Sequence, residues 1–228
     1  VERVSIEDRR ATGVVYRDRE GRQITATASR EVILSAGAVG SPHILMLSGI
    51  GPRQELQDKG IEVVADLPGV GANLSDHPDF VLKYRCLQPV SLWPKTRPLG
   101  RVLAGLQWLA TRKGIAASNH FDTVACVRSG PGVEYPDLQF TLSPIAVNDD
   151  TWAALPEHAF QIHMGLMRAH SRGRIALRSA DPAIPPSILI NYLQDPRDRD
   201  LMRKGIRLIR ELVEQPAFAG LKGDEIFP

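Results

Sequence analysis

Hydrophobic residues alternate with polar ones at the beginning of the chain. Val4 and Ile6 are separated by polar positions, and residues 13–16 continue the pattern before a turn at 18–21. A period of two is typical of strands that bury one face. The apolar centre of residues 31–35 predicts a further strand, buried on both faces. The chain therefore begins with a group of short strands.

The pattern changes from strand to helix just after residue 35. Ser41 is a favoured N-cap residue and Pro42 a favoured first helical residue, so a helix is predicted to start there. Gly49 follows the apolar run and predicts the end of that helix. A second short helix is predicted at 52–60 and a strand at 61–65.

A second type of region begins near residue 79. Two amphipathic helices are predicted, at 101–111 and at 198–214, where apolar residues recur every three to four positions. Long polar connections separate four predicted strands, near 80–86, 121–128, 138–142 and 160–167. Such a succession favours a mostly antiparallel sheet with helices. We therefore predict an α/β to α+β fold with two domains, 1–76 and 77–228.

Composition and charge exclude several classes of protein. The 228 residues include 28 Lys and Arg against 26 Asp and Glu, and 43% are hydrophobic. These values exclude a disordered chain and a strongly basic nucleic-acid binder. No apolar run reaches the roughly 18–20 residues that a transmembrane helix needs. The cysteines and histidines lack the spacing of a metal site, so no metal is expected.

Residues 35–51 carry the most informative chemistry. They predict a strand, a glycine turn and a helix N-terminus, an arrangement that favours an anionic ligand such as a pyrophosphate. The small residues Ala36, Gly37 and Ala38 would let such a ligand approach the backbone, with the amides of residues 37–41 facing an open groove. A tight turn without a ligand fits the same residues, and the pattern leaves both interpretations open.

The run Gly-Ala-Val-Gly-Ser-Pro-His-Ile-Leu-Met-Leu-Ser-Gly-Ile-Gly at 37–51 resembles the second signature of the glucose-methanol-choline flavoprotein oxidoreductases. The resemblance covers almost the whole chain and is strongest to the choline dehydrogenase-like members, through 88–92 and 114–119. It continues, in the family's order, through 67–78, 117–121, 171–179 and 190–192.

This resemblance implies a fold, a cofactor and a reaction. The chain would comprise the tail of a Rossmann-like FAD-binding domain and the first part of a substrate-binding domain. The cofactor would be FAD, and the reaction would be hydride transfer from the CH–OH group of a small-molecule alcohol to the flavin. A non-catalytic remnant or interaction module that keeps the fold is the alternative.

Two parts of the family pattern are missing from this sequence. The G-x-G-x-x-G fingerprint has no match, and the family's catalytic His and Asn region would follow residue 228. We therefore expect a central fragment that needs the N- and C-terminal parts of its parent, contains no catalytic residue and is inactive alone. The expected location is cytoplasmic, with peripheral attachment to the membrane as the alternative.

The resemblance also implies the binding residues. It assigns Ala36, Gly37, Ala38, Ser41 and Leu45 to the adenosine side of the flavin, with pure packing as the alternative for each of them.

Asp79 and Thr141 are the implied substrate-binding positions. Asp79 stands where choline-processing members have an acid facing the trimethylammonium group, and a solvated surface acid is the alternative. Thr141 stands where those members have a His, a departure that argues against choline itself and leaves an alcohol substrate open. For His77, a structural hydrogen bond is favoured over a catalytic role.

Overall fold

The computed structural model describes residues 1–121 and 123–228. The chain forms two compact units. The first contains residues 1–76 and 171–192, and the second contains residues 77–170 and 193–228. The predicted domains, 1–76 and 77–228, stay a prediction, and the compact units differ from them in where residues 171–192 pack.

The described residues form twelve strands and five α-helices. The strands are β1 Arg3–Glu7, β2 Arg10–Arg17, β3 Gln23–Thr27, β4 Ile50–Gly51, β5 Ala65–Asp66, β6 Asp79–Cys86, β7 Thr123–Val127, β8 Leu138–Ser143, β9 Ala159–Leu166, β10 Arg174–Ala176, β11 Ser187–Leu189 and β12 Lys222–Phe227. The helices are α1 Gly37–Leu47, α2 Arg53–Asp58, α3 Trp93–Thr96, α4 Pro98–Thr111 and α5 Pro196–Val213. No described helix is both long enough and apolar enough to cross a membrane.

An antiparallel meander of β1, β2 and β3 opens the first unit. The β1–β2 turn places Asp8 and Arg9 at φ angles of 47° and 63°, the left-handed conformation that tight hairpin turns require. The strand β3 was not predicted, because its buried positions are few. Strands β4 and β5 form a short parallel pair.

The core of the first unit joins its two chain segments. Met46 of α1, Leu56 of α2, and Ile175 and Leu177 near β10 are all buried in one cluster. The backbone N–H of Leu177 also donates a hydrogen bond of 2.6 Å to the Glu55 carboxylate. Residues 171–192 therefore supply two of the four buried side chains of this cluster.

A five-stranded antiparallel sheet with the strand order β12-β6-β9-β8-β7 forms the second unit. This confirms the predicted, mostly antiparallel region. The predicted strand at 121–128 is observed as β7, and residue 122 lies outside the described part of the chain. Even-numbered residues of β6, β8 and β9 face a buried core, which includes Leu82, Tyr84, Leu138, Phe140, Phe160, Ile162 and Met164.

Helix α5 covers the core side of that sheet. Asp195 caps it, because its carboxylate accepts the backbone N–H of Arg197 at 2.9 Å. Hydrogen bonds from Arg197 also hold the pKa of Asp195 below its usual range. At Gly205 the helix approaches the sheet closely, since a Cβ atom there would lie 2.6 Å from the sulfur of Met164.

Three predicted elements of the first unit were wrong. Residues 31–35 form no strand, because no described strand pairs with them, and Ile33 is 77% exposed. The predicted strand at 61–65 is reduced to β5. Helix α1 begins at Gly37 rather than Pro42, since Gly37 makes the turn with a φ of +77°. Ser41 is therefore not the N-cap, and its hydroxyl accepts the Ala36 N–H at 3.0 Å.

Candidate functional site

A cavity of about 610 Å³ lies on the face of the five-stranded sheet opposite the core. The two predicted substrate-binding residues, Asp79 and Thr141, both line it. Strands β6, β8 and β9 supply the floor of the cavity, and Phe121 and Met167 contribute to its walls. The structure thus brings together two residues that are 62 positions apart in the sequence.

Strand register explains why these side chains meet. Thr141 on β8 lies directly opposite His163 on β9, so both side chains point to the same face. Asp79 on β6 and Gln139 on β8 are both paired with Gly165 on β9. Because Gly165 has no side chain, no side chain fills the space between Asp79 and Gln139 on this face of the sheet. A Cβ atom at Gly165 would find its nearest neighbour only at 4.0 Å.

His163 links the carboxylate of Asp79 to a buried glutamine. Its Nδ1 lies 2.6 Å from Oδ2 of Asp79, and its Nε2 lies 2.7 Å from Nε2 of Gln161. The imidazole is mostly buried, with 19% of its side-chain surface exposed, whereas Asp79 keeps 48% exposed. The other carboxylate oxygen, Oδ1, makes no hydrogen bond to any residue that the structure describes.

An aromatic ring completes one side of this group. The edge of Phe121 meets the imidazole of His163, with ring centroids 5.3 Å apart and an interplanar angle of 79°. Val124 and Leu166 add apolar surface to the cavity. The site therefore combines one carboxylate with apolar and aromatic walls.

His77 also lines the cavity, where its ring Nδ1 lies 2.7 Å from the carbonyl oxygen of Leu166. A ring N–H donated to a backbone carbonyl fixes the loop before β6 against the end of β9. The favoured structural role of His77 stays a prediction.

The predicted flavin-binding residues lie in the first unit. Ala36, Gly37 and Ala38 are exposed at the start of α1, which has no side-chain cap and no acidic residue in its first turn. The positive end of the helix dipole is therefore not neutralised, and a Cβ atom at Gly37 would meet nothing within 4 Å. These features fit an anionic group such as the FAD pyrophosphate.

Leu45 is placed differently from the other four flavin-side residues. It lines a cavity of about 550 Å³ together with Val32 and Leu34, and none of the other four lines that cavity. Ser41 uses its hydroxyl to accept the Ala36 N–H. The structure therefore does not gather the five residues in one cavity, and their cofactor role stays a prediction.

Sequence reasoning missed His163 as a site residue. In the sequence, His163 was considered only as a metal ligand, and no group of three or more ligating side chains occurs among the described residues. The signal that points to His163 is the pairing of β8 with β9, which places it opposite Thr141.

Family models of the GMC oxidoreductases match residues 1–79 and 169–228. The chain belongs to this family, which confirms the resemblance found in the sequence. Among its relatives are the oxygen-dependent choline dehydrogenases of Rhizobium johnstonii, 47% identical over 227 residues, and of Pseudomonas aeruginosa, 45% identical over 228. In both comparisons the alignment covers 100% of this chain but only 41% of the relative.

Solved structures of two oxidases share the fold. A formate oxidase superimposes with a TM-score of 0.91 at 26% identity, over 99% of this chain and 44% of the oxidase. A pyridoxine 4-oxidase from Mesorbium loti gives a TM-score of 0.79 at 25% identity, over 100% of this chain and 41% of that protein. The predicted fold class is thereby confirmed.

Proposed function

We propose that this chain is part of an FAD-dependent oxidoreductase that oxidises the CH–OH group of a choline-like alcohol. The observation that carries the proposal is the carboxylate of Asp79 at a cavity with an aromatic wall. The relatives named choline dehydrogenases, at 45–47% identity along the whole chain, support the same substrate class.

The chemistry of a quaternary ammonium group suits this cavity. Such a group carries a positive charge but no N–H, so it is recognised by charge and by apolar contact rather than by hydrogen bonds. Asp79 Oδ1 supplies the charge, and Phe121 supplies a ring whose attraction for a cation is worth about 0.5–2 kcal/mol. Val124 and Met167 offer apolar surface to the methyl groups.

FAD is the cofactor in this proposal. The uncapped start of α1 and the exposed residues 36–38 would hold the anionic pyrophosphate at the adenosine side of FAD. When bound, FAD supplies the acceptor for the hydride that leaves the alcohol carbon. The role of the second unit is to bind the alcohol and to orient it through its cationic end.

The base that removes the hydroxyl proton is proposed to lie outside this chain. His163 is the nearest imidazole to Asp79, but both of its ring nitrogens are already hydrogen-bonded. These hydrogen bonds leave neither ring nitrogen of His163 available to accept the hydroxyl proton of the alcohol.

The proposed location is the cytoplasm, with peripheral membrane attachment as the alternative. Both cysteines, Cys86 and Cys126, are free thiols, which suits a reducing compartment. Fractionation of cells that express the full-length protein, with and without a high-salt wash, separates the two locations.

Flavin reduction tests the proposed reaction. The full-length protein that carries this chain is mixed anaerobically with choline or with 3,3-dimethylbutan-1-ol, a neutral carbon isostere of choline. We expect choline to bleach the flavin absorption at lower concentration than the isostere. A flavoprotein that neither alcohol reduces would contradict the proposed function, and equal responses would contradict the cationic substrate class.

A further inference from the structure

The hydrogen bonds around His163 determine which of its nitrogens carries the proton. Gln161, 5% exposed, accepts the backbone N–H of Val147 at 3.0 Å through its oxygen Oε1. Its amide nitrogen therefore faces His163, and a glutamine amide nitrogen can only donate. The imidazole Nε2 must accept that hydrogen bond, so the single ring proton is on Nδ1, where it is donated to Asp79.

A reversal of this arrangement would leave two donors facing each other. If Gln161 turned its amide over, its nitrogen would point at the Val147 N–H. If His163 gained a second proton at Nε2, that proton would point at the amide nitrogen of Gln161. Either change leaves buried donors without acceptors, a costly arrangement. The network therefore holds the imidazole in its neutral form.

The charge on Asp79 follows from this arrangement. A neutral imidazole donates to Oδ2 without cancelling the negative charge, whereas an imidazolium would form an ion pair of zero net charge. Lys83 and Arg85, the cations of β6 on this sheet face, are directed to other carboxylates, with Lys83 Nζ 2.6 Å from Oδ1 of Asp149 and Arg85 Nε 2.6 Å from Oε2 of Glu157. His77 is occupied by the Leu166 carbonyl.

We infer that Gln161 and His163 are positioning residues that set the preference for cationic alcohols, by keeping the charge of Asp79 uncompensated and its free oxygen available to the cavity. This inference rests on the proposed function for its substrate, but the protonation pattern itself does not depend on activity. Neither residue is proposed to contact the reacting carbon.

Gln161→Glu is the informative variant. A glutamate can still accept the Val147 N–H with one oxygen, but its other oxygen also accepts, so His163 then lies between two acceptors and takes up a second proton. The imidazolium pairs with Asp79, so the charge beside the cavity is compensated and the remaining negative charge lies at the buried residue 161. We expect the ratio of kcat/KM for choline to that for 3,3-dimethylbutan-1-ol to fall about tenfold in the full-length protein.

Gln139→Glu is the matched control. Gln139 lines the same cavity from β8, and its amide nitrogen contacts Thr141 at 3.5 Å rather than His163. Because Gln139 lines the cavity, the same new charge at this position should increase the choline preference. If added negative charge alone were responsible, the ratio of kcat/KM for choline to that for 3,3-dimethylbutan-1-ol would change in the same direction in both variants. That result would overturn the inference.

Nitrogen NMR of the imidazole provides the second readout. In the wild-type full-length protein with ¹⁵N-labelled histidine, His163 should show a proton on Nδ1 and none on Nε2, with an imidazolium in Gln161→Glu. A wild-type proton on Nε2 would overturn the inference even if choline is the substrate. The predicted pattern in a protein that oxidises no alcohol would instead overturn the proposed function alone.

Discussion

Replacing Asp79 by Asn in the full-length protein removes one charge and preserves the shape of the side chain. The Asn oxygen can still accept the Nδ1–H of His163, so the network of β9 should remain intact. The Asp79 side chain is 48% exposed. The effective dielectric constant between it and a substrate cation therefore lies between the values for water and for the protein interior. At roughly 5 Å and an effective dielectric constant of about 20–80, the attraction is worth about 1–3 kcal/mol.

That energy corresponds to a loss of about 5- to 150-fold in kcat/KM for choline. For 3,3-dimethylbutan-1-ol, which lacks the charge, kcat/KM should change by less than about twofold. Steady-state oxidation of both alcohols by wild type and Asp79→Asn measures the two ratios. Equal losses on the charged and the neutral alcohol would show that Asp79 is structural, and the electrostatic reasoning would then be refuted.

Three further changes test the sheet, its helix and its ion pairs. Gly205→Ala should lower the free energy of unfolding by about 1–3 kcal/mol, because its Cβ would lie 2.6 Å from a core methionine sulfur, whereas Gly105→Ala, with nothing within 4 Å, should not lower it. Gly165→Val should raise KM for choline by filling the floor of the cavity, while the thermal unfolding midpoint stays within a few degrees. The hydrogen bond from Arg210 lowers the pKa of the Glu225 carboxyl in the folded protein. The ionised carboxylate therefore stabilises the fold at pH values above its unfolded-state pKa of about 4.3, and this stabilisation is lost as the pH falls through the lower folded-state pKa. Glu225→Gln should therefore weaken the acid dependence of the unfolding midpoint.

Each of these predictions has an outcome that contradicts it. If Gly205→Ala and Gly105→Ala lost equal stability, the loss in Gly205→Ala could not be due to the close packing of α5 against the sheet. An unchanged KM in Gly165→Val would remove the cavity from the substrate path. If the unfolding midpoint of Glu225→Gln fell with decreasing pH as it does in the wild type, other carboxylates would be responsible for the acid sensitivity.

The sequence pattern predicted those helices and strands that are specified by their own residues alone. Helix α5 has apolar residues at helical spacing, so its predicted limits, 198–214, lie within two residues of the observed Pro196–Val213. Strand β6 was predicted in the same way from its apolar run. Residues 31–35 have an equally apolar pattern, but a strand needs a partner, and the pattern of one segment carries no information about its neighbours.

The candidate site was predictable only in part, for a related reason. Asp79 and Thr141 came from the resemblance to the family, and both line the cavity. His163 depends on the register between β8 and β9, which is set by pairing across a connection from residue 144 to 158. The alternation within β9 shows which face His163 occupies but not which residue lies opposite it. Gln161 follows from the same register.

The return of residues 171–192 to the first unit affects how the protein is made. Leu177 and Glu55, which share a hydrogen bond in that unit, are separated by 122 positions. During synthesis the ribosome therefore releases α1 and α2 well before Ile175 and Leu177 can cover them. Residues 77–170 are, for the first unit, an insertion between its two halves. The N-terminal segment must wait for this insertion to be translated, and in that interval its apolar surface is available to chaperones.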